Sequence, residues 1–287
     1  MNGFYILANK EKDINLEKTK AIAQFLELRG HKCGYCGIER VYDSEDALIK
    51  IRRGIPEDTE CILVLGGDGT LIQVAGIISD MDIPMLGINM GNLGFLAEVE
   101  KDSVFDALEK VFSGEYHIEE RMMLSGETNI SGIKMKQVHA LNDVVISRNG
   151  QLRIINFDIY VNQNLLYSIS ADGMIVSTPT GSTAYNLSAG GPIVAPYAEG
   201  ILLTPICPHS LTMRPILLSK DDEIKIEIGS GSDFRNTAAE VTFDGGSACP
   251  LNEGDSVTIK KSFSNTKIIK ISNKTFYETL SKKMSDR

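Results

Sequence analysis

The chain has 287 residues, enough for one large or two ordinary domains, and 43% of them are hydrophobic, so real cores can form. A formal charge of −9 argues against a broad surface for nucleic acid or an anionic membrane. Any phosphorylated ligand is then expected to be held by local N–H groups and a metal ion rather than by a basic field. No window approaches about 18 consecutive apolar residues, and Met1-Asn2-Gly3-Phe4-Tyr5 carries no basic segment followed by an apolar one. The sequence therefore predicts a cytoplasmic protein that engages neither membrane nor nucleic acid.

In chain order, the first third alternates strand and helix. Phe4-Tyr5-Ile6-Leu7-Ala8 reads as a strand and residues 14–29 as an amphipathic helix stopped by Gly30. A short strand over 31–36 follows, then a helix opened by Ser44 that carries Ala47, Leu48 and Ile51. Cys61-Ile62-Leu63-Val64-Leu65 is an unbroken apolar run, as in a buried parallel strand. Thr70, Leu71, Ile72, Val74, Ala75 and Ile77 then continue at helical spacing. A further strand covers 83–88, and Asp102 caps a helix that runs to Phe112. Strands separated by helices of this length imply a parallel sheet covered on both faces.

From about Tyr116 the pattern changes to short alternating segments at 122–124, 137–147, 154–161, 165–169, 174–177, 201–206, 216–218, 224–228, 239–243 and 256–260. Their density, with Asn149-Gly150 as a hairpin signal, predicts an antiparallel sandwich. One helix interrupts it, opened by residues 180–183 and ended by Gly190-Gly191-Pro192. A strand over 267–271 and a helix over 274–284 return to α/β character. The predicted fold is thus an α/β, Rossmann-like domain over 1–115 and a β-rich domain over 116–265. Segment 266–287 is expected to pack back on the first domain.

Five cysteines are present, and Cys33-Gly34-Tyr35-Cys36 has C-x-x-C spacing. A zinc site would need a second pair of ligands, and a redox pair would open a helix after a strand. This stretch follows a helix and reads as strand or turn, so ordinary thiols are expected.

Gly66-Gly67-Asp68-Gly69-Thr70 joins the apolar strand to its helix. That arrangement aims backbone N–H groups and a helix N-terminus at an anion, with glycines that let the backbone come close. An Asp there repels phosphate, so it is expected to bind metal or accept a proton; the alternative is a tight turn with Asp as N-cap. Gly87-Ile88-Asn89-Met90-Gly91-Asn92-Leu93-Gly94-Phe95-Leu96 ends the next strand in a second glycine-rich loop, with Phe95 available to line a pocket. Asn142-Asp143 breaks an apolar strand-like run, so one of the two should face a site and the other a turn or partner. Asp172-Gly173 precedes Ser177-Thr178-Pro179-Thr180-Gly181-Ser182-Thr183-Ala184-Tyr185-Asn186, whose five hydroxyls at a helix start suit a nucleotide. Phe243-Asp244-Gly245-Gly246 ends a later strand with an exposed carboxylate in a plain turn. No P-loop, no G-x-G-x-x-G after the first strand and no G-x-S-x-G elbow is found.

Taken together, residues 66–70, Asn142-Asp143 and the block 172–192 resemble the NAD kinases, which carry GGDGT, an N-E/D pair and a DG…STPTGSTAYxLSAGGP block in this order. The resemblance extends to 92–96 and 208–215 and covers most of the chain. GGDGT alone also occurs in phosphofructokinases and in diacylglycerol or sphingosine kinases; the three motifs together are specific. The resemblance implies ATP-dependent phosphorylation of the 2′-hydroxyl of the adenosine ribose of NAD, with Mg²⁺ or another divalent cation carried by ATP. Asp68 would be the general base, and Gly66, Gly67, Gly69 and Thr70 would form the phosphate loop. Gly69, Phe95, Asn142, Asp143, Thr180, Thr183, Ala184 and Tyr185 would bind NAD, Asp172 would contact its nicotinamide end, and Asp244 would lie near the phosphate-acceptor site. Homodimers or homotetramers are implied as well, with the site between the two domains. Family members often carry a basic residue where this chain has Ser170, a neighbourhood linked to the choice between NAD and NADH. A lipid kinase shares the loop but not the 172–192 block. A non-catalytic dinucleotide sensor is at odds with an intact Asp68.

Overall fold

A computed structural model describes residues 1–39, 45–91, 94–149, 154–230 and 239–285. The sequence expectations for Ser44, Asn92, Leu93 and Gly150 lie outside the described residues. The chain divides into two compact units, Met1–Arg121 with Asn265–Arg287, and Met122–Ser264.

In the first unit the order is β1 (Gly3–Asn9), α1 (Glu17–Leu28), β2 (Lys32–Ile38), α2 (Glu45–Arg53), β3 (Cys61–Gly66), α3 (Asp68–Ile77), β4 (Met85–Asn89), β5 (Val99–Glu100) and α4 (Val104–Ser113). The strands lie in the order β2-β1-β3-β4, all parallel, with Phe4 beside Cys61 and Ile62 beside Met85. Every residue of β3 is buried, as expected for a strand covered on both faces. Phe4, Ile6, Leu63, Leu65 and Ile88 share one core with Ile22 and Leu26 of α1 and Val104 and Leu108 of α4. The chain runs from β1 outward to β2, then returns to place β3 on the other side of β1. Right-handed crossovers then put α1 and α3 on opposite faces, which makes the C-terminal edge between β1 and β3 a switch point where ligands bind.

The remaining elements are β6 (His117–Ile130), β7 (Ile133–Lys134), β8 (Val138–Ala140), β9 (Asp143–Arg148), β10 (Ile155–Val161), β11 (Asn164–Ala171), β12 (Gly173–Ser177), α5 (Tyr185–Ser188), β13 (Ile201–Ile206), β14 (Ile216–Leu218), β15 (Ile224–Ile228), β16 (Ala239–Phe243), β17 (Cys249–Leu251), β18 (Ser256–Lys270) and α6 (Phe276–Ser285). The second unit holds two sheets. One runs β14-β13-β12-β9-β16-β17, antiparallel throughout; the other pairs β11-β10-β15-β18, with β6 beside β18. Val144, Ile146, Met174 and Val176 from the first sheet and Phe157, Ile226 and Val257 from the second are buried in one core, so the unit is a sandwich.

Several elements differ from the sequence reading. The helix expected over 14–29 begins with a 3₁₀ turn at Ile14–Leu16, where Asn15 and Leu16 take left-handed φ values of 56° and 55°. Residues 122–124 and 256–260 are parts of strands of 14 and 15 residues. The run expected over 137–147 is broken at Leu141–Asn142 into β8 and β9. Cys33 and Cys36 lie three apart on β2, so their side chains leave opposite faces of the strand. Among the described residues no helix is long and apolar enough to cross a membrane.

Candidate active site

The glycine loop of the first unit is shaped by three close approaches. A Cβ on Gly66 would overlap the Thr70 side chain, so only glycine lets Thr70 fold back under the strand end. Gly67 is the N-cap of α3, with extended backbone (φ −125°) and no side-chain cap. Around Gly69 nothing lies within 4 Å of a hypothetical Cβ. That space is not needed for the protein's own packing, and it leaves the first turn of α3 open to a ligand.

Asp68 does not cap its own helix, which removes the simple turn reading. Its carboxylate reaches across to the second glycine loop and accepts the backbone N–H of Phe95 (2.6 Å), Leu96 (3.1 Å) and Ala97 (3.3 Å). A Cβ on Gly94 would overlap that carboxylate, so Gly94 is required for the approach. An ionised carboxylate has about four lone-pair positions, and three amides leave one acceptor direction for a hydroxyl. Phe95 packs edge-tilted on Phe276 of α6 (6.1 Å between ring centres), and Lys283 lies 4.6 Å over its ring. Phe95 thus lines the loop with its ring backed by the C-terminal helix.

Asn9, at the end of β1, joins this assembly from the neighbouring strand. Its Oδ1 accepts the N–H of Glu11 (2.9 Å) and Lys12 (3.2 Å), and its Nδ2 donates to Thr70 Oγ1 (3.4 Å). The turn so formed lays the Lys12 ammonium over the glycine loops, 2.7 Å from where a Cβ on Gly67 would stand and 3.8 Å from one on Gly91.

In the second unit the break between β8 and β9 is held by Asp244. Its carboxylate accepts three successive amides, Leu141 (2.6 Å), Asn142 (2.7 Å) and Asp143 (3.0 Å). This corrects the expectation of an exposed carboxylate in a plain turn: the turn exists, with φ 51° at Asp244, but the carboxylate is enclosed. Burial pushes it up to about 6, opposed by those backbone N–H groups. Asp143, the first residue of β9 and only 6% exposed, stands opposite Ser177 of β12. Burial first, and then the nearby Asp244 charge, push it up to about 7.

The hydroxyl-rich stretch packs against the same break. The Thr178 N–H (2.8 Å) and Ser177 Oγ (3.1 Å) both donate to the Asn142 carbonyl, and Thr178 Oγ1 donates to the Leu141 carbonyl (2.6 Å). A Cβ on Gly181 would overlap that Asn142 carbonyl, so the 3₁₀ turn Thr180–Thr183 lies directly on Asn142. Ser182 Oγ bonds the Val194 carbonyl (3.0 Å). Of the five hydroxyls read as ligand groups, Ser177, Thr178 and Ser182 are therefore committed to holding the fold. Thr180 and Thr183 flank Gly181 and Ser182 in the same 3₁₀ turn, where Thr183 Oγ1 donates to the Thr180 carbonyl (3.5 Å); half-buried Ala184 and Tyr185, which is 45% exposed, follow.

Asp172 is set apart. It precedes β12, whereas Ser177 ends it, so about 16 Å of strand separates Asp172 from the Asp143 end. There it pairs with Arg148 (3.4 Å), whose N–H also donates to the Asp172 carbonyl. The sequence reading did not single out Lys12, Asn9, Gly94 or Arg148. A basic residue in the loop after β1, next to a strand ending in glycines, was the available signal for Lys12.

Comparison with known proteins matches both parts of the chain. A family model described as the ATP-NAD kinase N-terminal domain matches residues 6–116, and one described as the ATP-NAD kinase C-terminal domain matches residues 141–271. The chain is 42% identical to an NAD kinase of Lachnoclostridium phytofermentans, with 100% of each chain covered. It is 45% identical to an NAD kinase of Lachnospira eligens, over 99% of this chain and 100% of the relative. Among solved structures, an NAD kinase from Archaeoglobus fulgidus in complex with ATP aligns with a TM-score of 0.75 and 25% identity over 98% of each chain. A yeast NADH kinase complexed with NADH aligns with a TM-score of 0.82 over 100% of this chain and 88% of that one; at 23% identity this is a likeness of fold.

Proposed function

This chain belongs to the NAD kinase family, and from that premise we infer that it transfers a phosphoryl group from ATP to the 2′-hydroxyl of the adenosine ribose of NAD, giving NADP. The observation that carries the assignment to residues is Asp68, a carboxylate fixed by three amides in a glycine loop that is open at Gly69.

Phosphoryl transfer asks mainly for positioning and charge neutralisation. The donor lies along Gly66, Gly67, Gly69 and Thr70, where the first turn of α3 offers N–H groups and no side chain intrudes at Gly69. Asp68 takes the proton of the attacking hydroxyl through its one unused acceptor direction, a step worth roughly 10²–10⁴-fold. Asn142 and Asp143 are assigned to the adenosine side of NAD, with Thr180, Thr183, Ala184 and the open Tyr185 ring, and Phe95 is assigned to NAD binding on the family resemblance. Asp172 stands far enough along β12 to meet only the distant nicotinamide end of so long an acceptor. Asp244 acts on the acceptor by holding the amides of residues 141–143 in place.

Among the described residues no group of three or more His, Cys, Asp or Glu side chains could hold a metal ion. On the family resemblance, Mg²⁺ would arrive on the ATP phosphates. When bound there it neutralises phosphate charge. Homodimers or homotetramers in the cytoplasm complete the reading, on the family resemblance alone.

The test is a coupled assay of NADP formation from NAD, ATP and Mg²⁺. Asp68→Asn is expected to fold and to bind NAD, with kcat lowered at least about a hundredfold. Turnover near that of the unaltered protein would remove Asp68 as the base.

A further inference from the structure

Lys12 has a place in the fold that its own protein contacts do not explain. The backbone on either side of it is pinned. The carbonyl and Oδ1 of Asn9 receive the amides of residues 11–13, and the buried Asp13 carboxylate accepts the amides of Lys18 (3.0 Å) and Thr19 (2.9 Å) and the Thr19 hydroxyl (2.6 Å). The neighbouring Lys10 turns outward to Glu39 (3.0 Å). Lys12 has no carboxylate partner among the described residues, yet its ammonium lies over the backbone of Gly67 and close to Gly91. The one carboxylate of the loop, Asp68, is turned to the amides of residues 95–97.

Lysine carries about 2 kcal/mol of side-chain rotamer entropy, and lying over bare glycine brings back none of it. An anion would supply the missing partner. The ammonium sits at the C-terminal edge of β1 and β3, the switch point of the sheet, beside the uncapped N-terminus of α3. Two independent devices for holding phosphate, a charge and a turn of free N–H groups, thus converge on one place. In a protein of net charge −9, such a local cation is what a polyanionic donor needs.

We propose that Lys12 binds the triphosphate of the donor, its ammonium lying over Gly67 to hold a phosphate oxygen of ATP against the first turn of α3. The inference rests on the ATP-dependent reading above and adds a donor-binding residue to it. Gly67 has a reason in the same geometry, since a Cβ there would displace the ammonium.

The experiment is Lys12→Met in the full chain, with steady-state kinetics in ATP, direct titration of NAD in the absence of ATP, and thermal melting. kcat/KM for ATP is expected to fall about ten- to hundredfold, the range of one charge-assisted hydrogen bond. NAD affinity and melting temperature should stay unchanged, because the side chain is exposed and its backbone is held by Asn9 and Asp13. Lys12→Arg should recover most of the loss. An active unaltered protein with undiminished kcat/KM for ATP in Lys12→Met overturns the inference and leaves the proposed function standing. So does a loss shared equally by ATP and NAD with a lowered melting temperature, which would make Lys12 a structural residue. An unaltered protein that makes no NADP from ATP and NAD overturns the function itself.

Discussion

The glycine loop of the first unit and the β8–β9 break of the second are built with the same device and differ in what surrounds it. In each, a carboxylate from one loop receives three successive amides of another: Asp68 those of residues 95–97, Asp244 those of residues 141–143. Around Asp68 the neighbours are glycines, and the space at Gly69 is open. Around Asp244 the neighbour is a second buried carboxylate, Asp143, and the carbonyls of residues 141 and 142 are taken by Thr178 and Ser177. The first device leaves open space beside its carboxylate, while the second fixes a chain break at an electrostatic cost. Geometry alone does not separate them; the neighbourhood does.

The comparison breaks first at Gly94. Its Cβ would overlap the Asp68 carboxylate, so Gly94→Ala must move either the base or the loop that holds Phe95. Misplacing a reacting group by about an ångström costs on the order of a hundredfold, so kcat should fall at least that far, with NAD affinity weakened as well where the loop that carries Phe95 is what moves. Asp244→Ala addresses the other device. It leaves three amides without their acceptor, at about 1–3 kcal/mol for each that water does not reach. A loss of roughly 3 kcal/mol in denaturant unfolding and a weakened NAD affinity are expected. If Asp244→Ala lost turnover but no stability, the two carboxylates would have exchanged the roles assigned to them.

The charge pair gives a pH dependence of definite sign. Asp143 is raised from the ordinary carboxylate range near 3.8 to about 7. Its contribution to stability is therefore full below about pH 4 and is lost as pH rises through about 7. Asp143→Asn removes that dependence. Relative to the unaltered protein, the variant should gain stability progressively between pH 4 and pH 7, by on the order of 3 kcal/mol. A flat difference across that range in chemical unfolding would show that Asp143 ionises freely in the fold.

Long periodic segments and glycine punctuation made much of the fold legible. The β3 run and the alternation of β10, β15 and β16 each carry a pattern that one burial environment imposes. What escaped the sequence depends on distant partners. The β8–β9 break is set by Asp244, about a hundred residues downstream, and two residues with left-handed φ precede α1 without any glycine to announce them. The motif residues were visible as motifs, but which hydroxyls face a ligand was not. Ser177, Thr178 and Ser182 read as ligand groups until the carbonyls of residues 142, 141 and 194 that they bind are known. Lys12 carried only a weak local signal, a basic residue in the loop after β1, and its position on a glycine loop more than fifty residues away depends on the packing of β1 beside β3.

Gly69 sharpens the comparison most finely, because structure and function there predict opposite signs. It lies in the first turn of α3 with nothing within 4 Å of a hypothetical Cβ. Alanine in a helix is favoured over glycine by up to about 1 kcal/mol, so Gly69→Ala should raise the melting temperature slightly. If the donor phosphates run across this turn, the added methyl should at the same time weaken ATP, raising its KM while NAD affinity is untouched. A stabilised protein with unchanged ATP kinetics would mean that the donor avoids Gly69, and the open space beside Asp68 would then belong to the acceptor.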